Sequence, residues 1–220
     1  MLYFSYLSET ASVPLLDLGF AISASAQDAE KTFTLMKEAI DSIATRYEAS
    51  KIRYALLTFG STVNKEVSFT KDSPNPEELR KALEGASNLS GAPDLKKALE
   101  EAKMMFKQAT PRPGAKKVLI VIMDKKSASD SGDVKKAAKL LEDVNVKVVP
   151  VAVGSEVSLS ELEKTTTNKK FIVIAGKDED PERLGEEIIR KAIKSECFVG
   201  LNACYLAKAS MLYASSLANI

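Results

Sequence analysis

Three short polar stretches follow apolar runs and carry side chains able to do chemistry. They are Ser23-Ala24-Ser25-Ala26-Gln27, Gly91-Ala92-Pro93-Asp94 and Asp124-Lys125-Lys126-Ser127. Serine, lysine and carboxylate side chains on such loops can serve an enzyme or a binding surface. Nucleophilic catalysis has little to work with. The 220 residues contain no histidine, which removes Ser-His-Asp and Cys-His machinery, histidine general bases and histidine metal sites together. Two cysteines, Cys197 and Cys204, are too few for a zinc site or a disulfide framework. Their spacing leaves both a local bridge and two unpaired thiols open. Enzymes built on carboxylate, lysine or serine remain, and so do binding modules.

The motifs of the common enzymatic sites are missing. A dinucleotide site needs Gly-x-Gly-x-x-Gly after the first strand, and Ser23 to Gln27 contains no glycine. No Gly-Lys-Ser/Thr opens a helix, and no Gly-x-Ser-x-Gly elbow exists. A receiver-type phospho-acceptor site needs acids after the first strand, where only Asp28 stands, already at a helix start. Asp28 and Asp94 both read as helix caps.

The elements that position these loops follow from hydrophobic periodicity. Leu15 to Ser23 reads as a buried strand, and Asp28 to Glu48 as a helix with Phe33, Met36, Ile40, Ile43 and Tyr47 on one face. Lys51 to Gly60 is a second strand. Val63 to Phe69 alternates, with Val63, Lys65, Val67 and Phe69 on one side, as expected of an edge strand reached by a tight turn. Short helical signals at Glu77 to Leu83 and from Asp94 onward follow, the latter with Leu95, Ala98, Leu99, Ala102, Met105 and Phe106 in a stripe. Met104, Met105 and Phe106 read together as core. Lys117 to Asp124 is apolar throughout, which implies burial on both faces of a parallel sheet. Val134 to Asp143 (helix), Val146 to Val153 (strand), Leu159 to Lys164 (helix), Lys170 to Ile174 (strand) and Pro181 to Lys194 (helix) complete the series. The alternation predicts a doubly wound α/β fold: a mostly parallel six-stranded sheet with one antiparallel edge strand and helices on both faces. Residues 14–195 form the expected domain, 1–13 an extension, and 196–220 an apolar tail that fits an added helix. Apolar residues at 45%, charged residues at 28% and a net charge of +1 fit a globular domain with no broad cationic face for nucleic acid. No run reaches the ~18 apolar residues that span a bilayer.

In such sheets ligands bind beyond the carboxyl ends of the strands, where the three polar stretches lie. A strand Asp17-Leu-Gly-Phe-Ala-Ile22 running into Ser-x-Ser and a long helix comes first. Then come Ile52-Arg-Tyr-Ala-Leu-Leu-Thr-Phe-Gly-Ser61 with its hairpin, Ser90-Gly-Ala-Pro-Asp-Leu-Lys-Lys-Ala-Leu99, Lys117-Val-Leu-Ile-Val-Ile-Met-Asp124 and Val146-Lys-Val-Val-Pro-Val-Ala-Val-Gly154. In order and spacing this resembles the von Willebrand factor type A domain over about Leu15 to Lys194. The resemblance implies a metal-ion-dependent adhesion site built from Asp-x-Ser-x-Ser, a threonine and a further aspartate. The motif aspartate falls at Ser23, its serines at Ser25 and Gln27, the threonine at Ala92 or Pro93, and the last aspartate at Asp124. Two positions of five match, Ser25 and Asp124, and the first carboxylate is gone. The site is therefore degenerate, with no cofactor expected beyond weak magnesium at most.

The expected function is a non-catalytic protein-interaction or adhesion module, independent of metal. The resemblance implies an extracellular matrix or adhesion protein as its setting, and a matrix protein such as collagen, or a sister domain, as its partner. An intracellular scaffold or assembly factor of the same fold is the alternative. The segment Met1 to Leu7 is a poor secretory signal, leaving a cytoplasmic chain or a fragment of a longer secreted protein open. Asn88-Leu89-Ser90 fits an N-glycosylation acceptor if the chain is secreted. The pairs Lys116-Lys117, Lys125-Lys126, Lys135-Lys136 and Lys169-Lys170 read as solvated edges. Lys125 and Lys126 alone flank the rim, where they would face an acidic partner.

Overall fold

A computed structural model describes residues 14–24, 30–46, 51–69, 75–87, 89 and 91–193. The extension at 1–13, the tail with Cys197 and Cys204, and Ser25, Gln27 and Asn88 lie outside the described residues.

The strands are β1 (Leu16–Ser23), β2 (Ile52–Phe59), β3 (Val63–Val67), β4 (Lys116–Met123), β5 (Val146–Val153) and β6 (Val173–Ala175). The helices are α1 (Glu30–Arg46), α2 (Pro76–Gly85), α3 (Leu95–Gln108), α4 (Ser131–Glu142), α5 (Leu159–Leu162) and α6 (Pro181–Ile193). The sheet order is β3-β2-β1-β4-β5-β6, parallel except for the β2–β3 pair. This is the doubly wound, mostly parallel sheet with one antiparallel edge that the pattern predicts.

Strand alternation explains why the central runs are apolar without interruption. Leu18, Phe20 and Ile22 of β1, with Val118, Ile120 and Ile122 of β4, point to the face covered by α1, α2 and α6. Ala21 of β1 and Leu119, Val121 and Met123 of β4 point to the face covered by α3 and α4. Each of these residues is buried on one side or the other, which is why the middle of each run is apolar. Two helices meet closely on the first face. A Cβ on Gly185 of α6 would lie 2.2 Å from Ser42 Oγ and 2.8 Å from the Ala39 carbonyl of α1.

Three expectations change. The last strand begins at Val173 and not at Lys170, because the Asn168 side chain accepts from the Lys170 amide and turns Lys169–Phe171 into a 3₁₀ helix. The β3 alternation is broken by a register shift opposite Leu56 and Leu57. Val67 therefore joins the α1–α2–α6 core, while Val63 and Phe69 pack on the α3 side. Met104 is 43% exposed, unlike buried Met105 and Phe106, since it sits on the outer face of α3.

A buried ionic cluster closes the lower end of the sheet, where β1 and β2 begin. Arg53 grips Asp17 with two hydrogen bonds, of 3.0 and 2.7 Å, and donates to the Thr110 carbonyl at 3.0 Å. Arg112 adds a 3.1 Å contact to the same carboxylate. Asp17 and Arg53 are each 1% exposed, so the pair is fully compensated where it is fully dry. Nothing in the local sequence pattern marked this cluster, because its members come from three separate segments.

Candidate functional site

The parallel register sets the upper rim. Ile22 pairs with Ile122 and Ser23 with Phe59, so β1, β2 and β4 end at one level. Ser23 is the last residue of β1 and Asp124 the first after β4. Both are buried, at 2% and 5% exposure. Ala92 and Pro93 reach the same rim in the loop before α3. The structure thus brings Ser23, Asp124 and the Ala92-Pro93 loop to one end of the sheet.

Backbone and hydroxyl bonds knit the rim together. The Ala24 amide donates to the Phe59 carbonyl at 2.8 Å, and the Leu89 amide donates to the Ala24 carbonyl. The Asp94 amide donates to the Gly60 carbonyl at 2.8 Å. Gly91 stands at φ +87°, and a Cβ there would meet Ser61 at 3.0 Å, so this crossing of loops requires glycine. Ser127 is the hub on the other side. Its hydroxyl donates to the Pro93 carbonyl at 3.1 Å and accepts from the Leu95 and Ser129 amides, both at 3.1 Å. The Ser127 amide donates to buried Glu161 at 2.5 Å.

Asp94 caps α3, accepting from the Lys97 amide at 3.1 Å and from the Ser129 hydroxyl at 2.8 Å. Burial pushes its carboxyl up, but the hydrogen bonds from Lys97 and Ser129 outweigh that, and its pKa falls below the usual carboxylate value. A carboxylate so engaged is committed to the helix start and not to a ligand. Ser129 and Glu161 escape a sequence reading: each is an ordinary loop or helix residue until the fold sets it against a segment more than 30 positions away.

Asp124 is different. Its Oδ1 is buried and has no hydrogen-bond partner among the described residues. An orphaned carboxylate oxygen in a dry place costs free energy. We tested the described residues against the divalent ion that the fold implies. Asp124 supplies one carboxylate and Ser23 one neutral hydroxyl, while Ala92 and Pro93 have no side-chain oxygen. Among the described residues no group of three or more His, Cys, Asp or Glu side chains is placed to hold a metal. Among the described residues that donor set falls short of an octahedral hard cation, with Ser25 and Gln27 lying outside them.

A profile of the von Willebrand factor type A domain matches residues 17–186. The chain belongs to this family. A curated relative, the mouse collagen alpha-5(VI) chain, is 24% identical over 201 residues, covering 87% of this chain and 8% of its own length. The von Willebrand type A chain described here therefore spans a small part of that relative. Among solved structures, mussel byssus proximal thread matrix protein 1 with a zinc-occupied MIDAS motif superposes at a TM-score of 0.71 with 21% identity, covering 82% of this chain and 46% of that one. Manganese-loaded TRAP protein of Plasmodium vivax superposes at 0.64 with 16% identity, covering 80% and 74%. Both likenesses are of fold. Among the described residues no helix is long and apolar enough to cross a membrane.

Proposed function

We propose that this von Willebrand type A domain is a non-catalytic protein-interaction module of the extracellular matrix whose rim contacts partners with no bridging ion. One observation carries the reading. Where the family places its ligating oxygens, the described rim offers one carboxylate and one hydroxyl beside Ala92 and Pro93. The likeness to a collagen VI chain supports a matrix setting, with collagen or a sister type A domain as the partner. The missing histidine and missing phosphate loop support a role without catalysis.

Without an ion, contact rests on shape and ordinary polar groups. Lys125, half-buried, and Lys126, exposed, flank Asp124 and present positive charge at the rim. Binding to immobilised collagen and to a sister type A domain tests this. Binding is expected to survive EDTA and to weaken when Lys125 and Lys126 are both changed to Glu. Loss of binding in EDTA with recovery in magnesium overturns the reading. A glycan on Asn88 in protein made by secreting cells supports the matrix setting, and its absence under those conditions counts against it.

A further inference from the structure

Lysines from three of the four pairs that read as separate solvated edges line one groove, away from the rim. α4 turns Lys135, Lys136 and Lys139 outward, and the α5-to-β6 connection brings Lys164 and Lys169 against them around a cavity of about 970 Å³. This cavity shares Glu142, Thr166 and Thr167 with a second of about 830 Å³, which Lys116 and Lys117 line at the start of β4. Segments up to 53 positions apart in the chain, Lys116 to Lys169, thus build one cationic trough.

The charges in the trough are cancelled only in part, with Lys136 paired to Asp133 at 3.4 Å and Lys139 to Asp143 at 3.2 Å. Glu163 is engaged by Lys169 at 2.7 Å, and Glu142 accepts from the Thr167 hydroxyl at 2.7 Å and lies near Lys139. Among the described residues Lys116, Lys117, Lys135 and Lys164 form no ion pair. Lys135 and Lys139 stand four apart on α4, a spacing at which like charges repel. Between the lysines Leu140 is 41% exposed and lines the same cavity. A uniformly polar polyanion makes no use of a leucine there, whereas a peptide side chain covers it.

We propose that this trough binds an acidic protein segment that carries apolar anchors, with carboxylates meeting the unpaired lysines and an aliphatic side chain packing on Leu140. The site is separate from the rim and does not depend on the reading given above for it. The probe is a synthetic peptide with leucines flanked by glutamates, measured by calorimetry on the whole chain against a lysine-flanked counterpart and a heparin fragment. The glutamate peptide is expected to bind, more weakly as salt rises, and the lysine peptide not at all. A Lys135→Glu/Lys164→Glu variant, with circular dichroism confirming the fold, is expected to lose about tenfold or more in affinity, and Leu140→Ser a smaller but distinct amount. Equal binding by the double variant overturns the proposal. So does heparin binding that needs the lysines but ignores Leu140 while the glutamate peptide fails, since that makes the trough a polyanion surface. Lys125→Glu/Lys126→Glu is expected to leave peptide binding unchanged, so failure at the rim and failure at the trough are told apart.

Discussion

Asp124→Ala separates a rim that works without an ion from one that needs it, because the two predict shifts of opposite sign. In the metal-free rim the Oδ1 of Asp124 is a buried acceptor without a donor among the described residues. Leaving such a group unsatisfied costs about 1–3 kcal/mol. Truncation removes that cost and leaves only a small void, so a net gain of roughly 1–2 kcal/mol is expected. For a domain of this size each kcal/mol moves Tm by about 2–4 °C, giving a rise of about 2–8 °C in EDTA. Divalent salt should then move neither protein. If an ion does occupy the rim, saturation at a hundred times its Kd adds about 2.7 kcal/mol to the native protein, a rise of about 5–11 °C. The variant would lose that rise. Scanning calorimetry of both proteins in EDTA, magnesium and manganese reads the outcome directly. A native Tm that climbs by several degrees with manganese and an Asp124→Ala Tm that does not would refute the reasoning, as would a variant less stable than the native protein in EDTA.

Asp94→Ala should cost about 1 kcal/mol by uncapping α3, read by urea unfolding at neutral pH. Because the folded carboxyl titrates below its unfolded value, its contribution is complete above the unfolded pKa and is lost as pH falls through the folded one; the variant should therefore show a shallower loss of stability in acid. Gly185→Ala should destabilise by about 1–3 kcal/mol, since its methyl meets the Ala39 carbonyl at 2.8 Å, and adding Ser42→Ala should recover only the part due to the hydroxyl. Arg53→Met should cost about 3–5 kcal/mol by stripping a buried carboxylate of its bidentate partner, with denaturant midpoints as the readout; a loss below 1 kcal/mol would mean that Arg112 alone satisfies Asp17.

The succession of elements and the parallel direction of the central strands were legible because continuous apolar runs and helical stripes left little freedom, and the edge hairpin announced itself by a tight turn after the second strand. What misled lay at points where a side chain outvoted the pattern. The Asn168 cap shortened β6, and a bulge turned Val67 to the opposite face of β3. At the rim the strand-end positions of Ser23 and Asp124 were readable, since a strand's last residue sits at its end whatever the topology. Ser129, Glu161 and the convergence of the lysine pairs were not, because each depends on contacts between segments whose separation no local period encodes.

Two buried aspartates sit at opposite ends of the same sheet, and their surroundings sort structure from site. Asp17 meets Arg53 twice and Arg112 once, and the two guanidiniums are themselves fixed by carbonyls of Thr110 and Lys51. Such closure leaves nothing for a ligand to add, and its removal harms folding alone. Asp124 meets neither a guanidinium nor an ammonium among the described residues, and one of its oxygens is left over. A fold that satisfies one dry carboxylate so fully had the means to satisfy the other. The difference supports the proposed contact at the end where β1 and β4 finish, since a buried carboxylate oxygen there is left without a partner among the described residues.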